Sequence, residues 1–288
     1  MAKEDPSQLI DVNKIFKDKN PKLYNMLPGF VLSYIKRIIH QDEMNQILKK
    51  SEGLEGIEFA GVVLEEMGVN VSCQGLENIP ATGPVIIASN HPLAGLDAMA
   101  MINLVGAKRR DLRFLVNDIL TRLPNFGEVF VPVNKLGVNA KSNLVRIEEI
   151  YASDAVKMLF PAGMCSRIID GKIQDAEWQK SFVTKAQKYQ NAIVPVLVKG
   201  KNSSWFYNLS RFRTKLGIKA NVEMFYLPDE MFKQKNQTIE LIIGKAIGPE
   251  TINQHKSTKE WASLMRSYVY SLADNPHQSF EQFLGTKK

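Results

Sequence analysis

The residues of this chain whose types and spacing best fit a chemical reaction are His91 and Asp97. They belong to the segment Asn90-His-Pro-Leu-Ala-Gly-Leu-Asp97, which follows a short apolar run at residues 85–89. A histidine that is oriented by a carboxylate can act as a general base and take a proton from a hydroxyl. The pattern therefore predicts that His91 activates a hydroxyl for attack on a reactive carbonyl, with Asp97 as its orienting partner.

The same spacing also fits a structural alternative, in which the histidine bonds a nearby carboxylate only to hold a turn. The chain has no Gly-x-Ser-x-Gly sequence, and neither Cys73 nor Cys165 has a base beside it in the sequence. We therefore expect a direct transfer without a protein nucleophile. No acidic or histidine cluster has metal spacing, and the expected mechanism needs neither a metal nor another cofactor.

Three further segments follow in order along the chain: Gly127-Glu-Val-Phe-Val-Pro-Val-Asn-Lys135, Phe160-Pro-Ala-Gly-Met-Cys-Ser166 and Ile193-Val-Pro-Val196. Together with the first segment, they resemble the four sequence blocks of the glycerolipid acyltransferase family, of the lysophosphatidic acid acyltransferase type. The resemblance covers residues 70–250. It implies that a fatty acyl group moves from a thioester, of acyl carrier protein or coenzyme A, to a lipid hydroxyl.

This chain departs from the family pattern at positions that bear on the acceptor. Five residues separate His91 from Asp97, where the family usually has four. The third block has Ala162 in place of a glutamate and Cys165 in place of an arginine that many members carry. In phosphate-accepting members these two positions help to hold the acceptor, and a bidentate arginine is the best phosphate donor. A phosphate clamp is therefore harder to build here, unless Arg167 replaces the missing arginine.

The segments NHPLAGLD, FPAGMCSR and GKIQDAEW are more similar to the hemolysin-like branch, which includes O-acyltransferases that finish ornithine and glycine lipids. The acceptor in that branch is an N-(3-hydroxyacyl) amino acid without a phosphate. The resemblance thus implies a lyso-glycine or lyso-ornithine lipid as acceptor. Two alternatives remain: a lysophosphatidic acid acyltransferase, and a non-catalytic lipid-binding protein, which the altered His–Asp spacing favours.

Five further residues are candidates for substrate binding: Asn90, Lys135, Gly163, Ser166 and Arg167. The N–H of Gly163, or of a neighbour, could stabilise the oxyanion of a tetrahedral intermediate. Ser166 and Arg167 could contact the acceptor, and Lys135 could meet an anionic head group or the phosphate of the donor. Each has a structural alternative, which is a turn for Asn90 and Gly163 and a solvated side chain for the cations.

The elements that must position these residues follow from the apolar spacing. Residues 8–66 are predicted to be helical, and strands then alternate with helices. The predicted strands are 69–73, 85–89, 112–116, 129–133, 155–160, 193–198, 222–226 and 239–243. The predicted helices are 98–105, 142–151, 178–189 and 259–272. This alternation indicates an α/β fold with a mixed, largely parallel sheet flanked by helices, in which an N-terminal helical extension (1–66) precedes an acyltransferase domain (67–288).

The net charge of +7 and the sequence pI of about 9.2 favour an anionic partner, which is either nucleic acid or an anionic membrane surface. Residues 27–39 and 205–215 mix aromatic with basic side chains. Each segment fits either a membrane interface or a helix packed on the body of the protein. No nucleic-acid-binding motif, signal peptide or membrane-spanning stretch is found. We therefore expect a peripheral protein on the cytoplasmic face of the cell membrane that does not bind nucleic acid.

Overall fold

The computed structural model describes residues 10–116, 124–133, 140–253 and 255–286. The α-helices in these ranges are α1 (Val12–Lys19), α2 (Pro21–Met26), α3 (Gly29–Ile38), α4 (Gln41–Lys50), α5 (Gly56–Glu66), α6 (Leu96–Lys108), α7 (Ala140–Ala152), α8 (Ser181–Tyr189), α9 (Ser204–Lys215), α10 (Leu227–Phe232), α11 (Thr258–Ser271) and α12 (Phe280–Gly285). The strands are β1 (Asn70–Gln74), β2 (Val85–Ser89), β3 (Leu112–Val116), β4 (Phe130–Pro132), β5 (Val156–Leu159), β6 (Arg167–Ile169), β7 (Lys172–Gln174), β8 (Ala192–Val198) and β9 (Thr238–Ile243).

A seven-stranded sheet organises the molecule, in the order β1-β9-β8-β2-β5-β3-β4. All neighbouring strands in it run parallel except β8 and β9, which are antiparallel. Every residue of β2 and β5 is buried, because helices cover both faces of the sheet. The predicted α/β fold with a mixed, largely parallel sheet is confirmed.

Three adjacent parallel strands lead into loops at one edge of the sheet, and two of these loops are segments that the sequence analysis singles out. The Asn90–Asp97 segment follows β2, the Phe160–Ser166 segment follows β5, and Lys199 and Gly200 follow β8. Because the carboxyl ends of parallel strands open at one edge of a sheet, these loops lie side by side. The second block contains β4, whose carboxyl end lies at the same edge, and its Lys135 lies outside the described residues.

The prediction of a strand at 222–226 is wrong, because Val222–Tyr226 forms a 3₁₀-helix. Its burial runs against its hydrophobicity: Glu223 is fully buried, while Met224 and Phe225 are exposed. An ion pair with Arg167 and Arg213 draws Glu223 inward, which a pattern of apolar residues does not reveal. The sequence prediction also lacked the β6–β7 hairpin, the helix α10 and the short terminal helix α12.

One of the N-terminal helices, α5, packs into the core of the sheet domain. Phe59, Val63 and Leu64 of α5 belong to the same buried cluster as Met101 and Val105 of α6. The domain boundary at residue 66 stays a prediction, although α5 contributes directly to the core of the sheet domain. Within the described ranges, we find no helix with the length and apolar character needed to cross a bilayer.

Candidate active site

His91 and Asp97 form a hydrogen-bonded pair at the carboxyl end of β2. The Nδ1 atom of His91 lies 2.8 Å from Oδ2 of Asp97, and the Asp97 side chain is fully buried. Asp97 stands in the first turn of α6, where the helix dipole favours a carboxylate. Its oxygens also accept the backbone N–H groups of Leu93 at 2.9 Å and of Gly95 at 3.1 Å. The carboxylate thus holds both the loop and the imidazole.

The extra residue between His91 and Asp97 is absorbed by a turn. Ala94 and Gly95 both adopt left-handed backbone conformations, with φ of 56° and 105°. This conformation is strained for alanine and ordinary for glycine, so the pair folds the longer loop back onto α6. The altered spacing therefore does not separate the two side chains, and the non-catalytic alternative loses its main support.

The imidazole is held in one orientation by its neighbours. Phe160 stacks on the His91 ring with centroids 4.0 Å apart and an interplanar angle of 8°. Because the carboxylate of Asp97 can only accept, Nδ1 carries the proton and Nε2 remains the basic atom. This is the tautomer that a general base acting on a hydroxyl requires.

Cys165 is a further neighbour that interacts electrostatically with His91, which the sequence did not reveal because the two residues lie far apart in the chain. Burial lowers the pKa of His91, but the charge of Asp97 and the interactions with Cys165 outweigh it, so that the pKa lies well above its ordinary value. The protonated imidazole is therefore stabilised, which helps His91 to hold a proton once it has taken one, and the neutral form that can accept a proton becomes populated only at higher pH. Cys165 itself is buried and carries no disulfide.

Asn90 and Ser166 are engaged with the protein rather than directed into open space. The side-chain amide of Asn90 exchanges two hydrogen bonds with the backbone of Val198, at 2.9 and 2.7 Å, and so ties the loop to β8. The N–H of Ser166 donates to the carbonyl of His91 at 2.8 Å, which joins the first block to the third. Their predicted contacts with substrate stay predictions.

Asp175 is a buried residue of the site that sequence reasoning missed. Its Oδ1 accepts the hydroxyl of Ser166 at 2.7 Å and the backbone N–H of His91 at 3.3 Å. Its Oδ2 accepts the indole N–H of Trp178 at 2.9 Å. The sequence signal for it is the segment GKIQDAEW, which the sequence analysis places in the family resemblance without assigning Asp175 a role.

The guanidinium of Arg167 is engaged by protein groups. It donates to the carbonyls of Cys165 and Ser166 at 2.8 and 3.1 Å and pairs with Glu223 at 3.1 Å. It also lies over the ring of Phe206, 4.7 Å from the centroid. As placed here, Arg167 does not replace the missing clamp arginine, and its predicted contact with the acceptor stays a prediction.

Gly163 makes a tight turn after β5, with φ of 70°, and its N–H donates to the carbonyl of Phe160 at 3.0 Å. That donor is used within the turn, so the predicted oxyanion role falls to a neighbouring N–H and stays a prediction. Lys135 lies outside the described residues and stays a prediction as well. Among the residues that the structure describes, no group of three His, Cys, Asp or Glu could bind a metal ion.

Comparison with known proteins decides the family to which this chain belongs. The chain matches the family described as Acyltransferase over residues 14–277. The chain belongs to this acyltransferase family. Acyl transfer is thus its reaction, and the predicted enzyme class is confirmed. Because the match begins at residue 14, it includes most of the segment that was predicted to be an extension.

Two curated relatives resemble the acyltransferase over nearly its whole length. It is 41% identical to a lyso-glycine lipid O-acyltransferase of Phocaeicola vulgatus, with 93% of this chain and 97% of the relative covered. It is 40% identical to a protein of the same name from Bacteroides thetaiotaomicron, with 93% and 99% covered. Among solved structures, a 1-acyl-sn-glycerophosphate acyltransferase of Thermotoga maritima, PlsC, matches with a TM-score of 0.45 and 17% identity, covering 85% of this chain and 92% of that one.

Proposed function

We propose that this acyltransferase moves a fatty acyl group from a thioester to the free hydroxyl of a lyso-glycine lipid. The observation that carries the proposal is the pairing of His91 with Asp97 in a chain that shares two fifths of its residues with two lyso-glycine lipid O-acyltransferases. The donor is acyl carrier protein or coenzyme A, and the enzyme works as a peripheral protein on the cytoplasmic face of the cell membrane.

The reaction needs only one proton relay. Nε2 of His91 takes the hydroxyl proton while the lipid oxygen attacks the thioester carbonyl. The tetrahedral intermediate collapses, the carbon–sulfur bond breaks, and the imidazolium returns its proton to the leaving thiolate. The products are an O-acyl ester and the free thiol of the carrier, and Asp97 stabilises the imidazolium in between.

The third block supports an acceptor without a phosphate. Ala162 and Cys165 are buried, and the guanidinium of Arg167 is held by Glu223 and two carbonyls. As described, this block offers no unengaged arginine for a phosphate group. An amino-acid lipid does not require one, which favours lyso-glycine lipid over lysophosphatidic acid.

A transfer assay with radiolabelled acyl carrier protein thioester tests the proposal. Lyso-glycine lipid, lyso-ornithine lipid and lysophosphatidic acid are offered in parallel, with acyl coenzyme A as a second donor. We expect ester on lyso-glycine lipid and a loss of about 10²- to 10⁴-fold in the His91→Ala variant. His255→Ala, which changes an exposed histidine, is the matched control.

Each other outcome removes a defined part of the proposal. Ester formed only on lysophosphatidic acid would overturn the acceptor and keep the mechanism. Ester formed equally well by His91→Ala would overturn the role of His91. If no ester formed on any of the three acceptors, the result would favour a non-catalytic lipid-binding protein.

A further inference from the structure

The surface built by α3, α9 and the 3₁₀-helix Val222–Tyr226 exposes large apolar side chains. The hydroxyls of Tyr34 on α3 and Tyr226 lie 2.8 Å apart, and Trp205 on α9 packs edge-on against Tyr226 with centroids 4.2 Å apart. The three elements are therefore neighbours on one side of the molecule. We call this surface the aromatic face.

The exposed residues of α9 lie on the side of the helix away from the core. Trp205, Phe212 and Leu216 are spaced by seven and four residues, which places them on one stripe of the helix. Phe206 and Tyr207 occupy the buried side. If α9 only covered the body of the protein, the stripe that faces solvent would carry polar residues.

The most exposed aromatic side chains extend the same face. Phe212 is 61% exposed, Phe225 beside Tyr226 is 70% exposed, and Phe30, one turn before Tyr34 on α3, is 75% exposed. A groove of about 450 Å³ lies between these elements and is lined by Tyr34, Arg37, Trp205 and Tyr226. Contiguous exposed apolar surface of this kind marks an interaction site.

The exposed charges on α3, α9 and the 3₁₀-helix are positive, and the groove between them also contains Asp229, which pairs with His40 and Lys233. Residues 200–226 contain five basic residues and a single acidic one, Glu223. Glu223 is fully buried between Arg167 and Arg213, so the exposed charges of that segment are all positive. Residues 21–39 add three basic residues and no acidic one. The basic side chains in question are Lys22, Lys36, Arg37, Lys201, Arg211, Lys215 and Lys219.

We propose that the aromatic face docks on a bilayer that contains anionic lipids, with Phe30, Phe212 and Phe225 in the interface. Aromatic rings and basic side chains are the residues that the head-group region of a membrane accommodates best. A second copy of this chain fits less well, because it would bring the same positive charge into contact with itself. A nucleic acid also fits less well, because the exposed aliphatic side chains of Leu216 and Met224 cannot stack on bases.

The inner side of the aromatic face lies against the active site. Glu223 and Phe206 both contact Arg167, which follows the third block directly. A docked bilayer is thus held next to the loop of His91. The inference rests on the proposed function only in that the bilayer would supply the lyso-lipid.

Vesicle flotation with the full chain tests this inference. Vesicles of phosphatidylcholine are compared with vesicles that also contain phosphatidylglycerol, at low and high salt. We expect binding to the anionic vesicles that weakens with salt. The double change Phe212→Ser and Leu216→Ser should weaken it at least tenfold, and Arg211→Glu with Lys215→Glu should abolish the preference for phosphatidylglycerol.

A matched control uses two exposed apolar residues outside the aromatic face, Leu144 and Val145 on α7, both changed to serine. The inference would be overturned if the control variant lost as much vesicle binding as the variants of the aromatic face. It would also be overturned if the variants of the aromatic face bound vesicles as well as the unchanged protein does. So would capture of acyl carrier protein by the face with no binding to vesicles. Acyl transfer is measured separately on acceptor in detergent micelles, so that a failed function and a failed docking face give different results.

Discussion

At the scale of single residues, three neighbours surround the imidazole of His91. Asp97 bonds Nδ1, Phe160 stacks on the ring, and Cys165 interacts electrostatically with it. A base has to hold one tautomer and one orientation throughout the reaction, which rotation in water would not allow. The sequence predicted the first of these contacts, whereas the other two come from a loop about seventy residues away.

The pH dependence of the rate should report the raised pKa of His91. The base must be neutral, so kcat/KM should rise with pH through a limb whose midpoint lies well above 6.5. Cys165→Ala removes one interaction that raises the pKa, and the midpoint should move to lower pH. Cys73→Ala, which changes a cysteine on β1 away from the site, should leave it in place. If the midpoint of the pH–rate profile were the same in the unchanged enzyme, in Cys165→Ala and in Cys73→Ala, the role given to Cys165 would be contradicted.

At the scale of elements, loops from β2, β5 and β7 are fastened to each other below the active site. Asp175, at the end of the β6–β7 hairpin, accepts hydrogen bonds from the backbone of His91 and from Ser166. The N–H of Asp175 in turn donates to the hydroxyl of Tyr270 on α11, at 2.7 Å. The hairpin therefore positions His91 through its backbone, without touching the imidazole.

Asp175→Asn should lower kcat by about ten- to a hundredfold, because an amide offers a donor where a carboxylate accepted from a buried donor. The midpoint of the pH–rate limb should stay unchanged, since Asp175 does not contact the ring. Asp274→Asn, at an exposed position, is the control. A shifted midpoint with an unchanged kcat would contradict this positioning role.

Gly200, just after β8, leaves room for the loop of His91. Its φ is 139°, and a Cβ there would lie 2.6 Å from the side chain of Leu93, whose N–H binds Asp97. Gly200→Ala should destabilise the protein by about 1–2 kcal/mol through backbone strain and should lower kcat by displacing the loop. Gly83→Ala, also at positive φ but with nothing nearby, should destabilise without loss of kcat. Urea unfolding and steady-state kinetics separate the two effects.

At the scale of the whole molecule, one buried ion cluster joins the aromatic face to the active site. Glu223, on the segment between α9 and α10, pairs with Arg167 on β6 and with Arg213 on α9. Burial raises the pKa of Glu223, but its backbone hydrogen bond and the two arginines lower it overall. Its stabilising contribution is therefore present above the ordinary glutamate pKa and is lost as the pH falls through the lowered value.

Glu223→Gln should lower the free energy of unfolding by about 3–5 kcal/mol, because it leaves two guanidinium groups without their counter-ion. Urea denaturation at neutral pH measures the loss, and the difference from the unchanged protein should shrink in acid. Glu52→Gln, at an exposed position, should change stability by less than about 0.5 kcal/mol. If Glu223→Gln left the free energy of unfolding unchanged, the ion cluster would not hold the aromatic face in place.

The amino-acid sequence by itself determined where the core strands lie along the chain and predicted the pairing of His91 with Asp97. β2 and β3 lie at the predicted positions, because buried strands are continuous apolar runs whose hydrogen bonds need no special side chain. His91 and Asp97 were found because a short loop joins them. Apolar runs and pairs of residues that a short loop joins can both be recognised from local spacing in the sequence.

Contacts between residues far apart in the chain were decided only by the tertiary structure. Asp175 lies 84 residues from the N–H of His91 that it accepts, and Glu223 lies 56 residues from Arg167. A buried carboxylate is stable only where the fold delivers donors or cations to it, and nothing in its own sequence neighbourhood states which ones arrive. For the same reason Val222–Tyr226 was mistaken for a strand: its inward residue is the charged one.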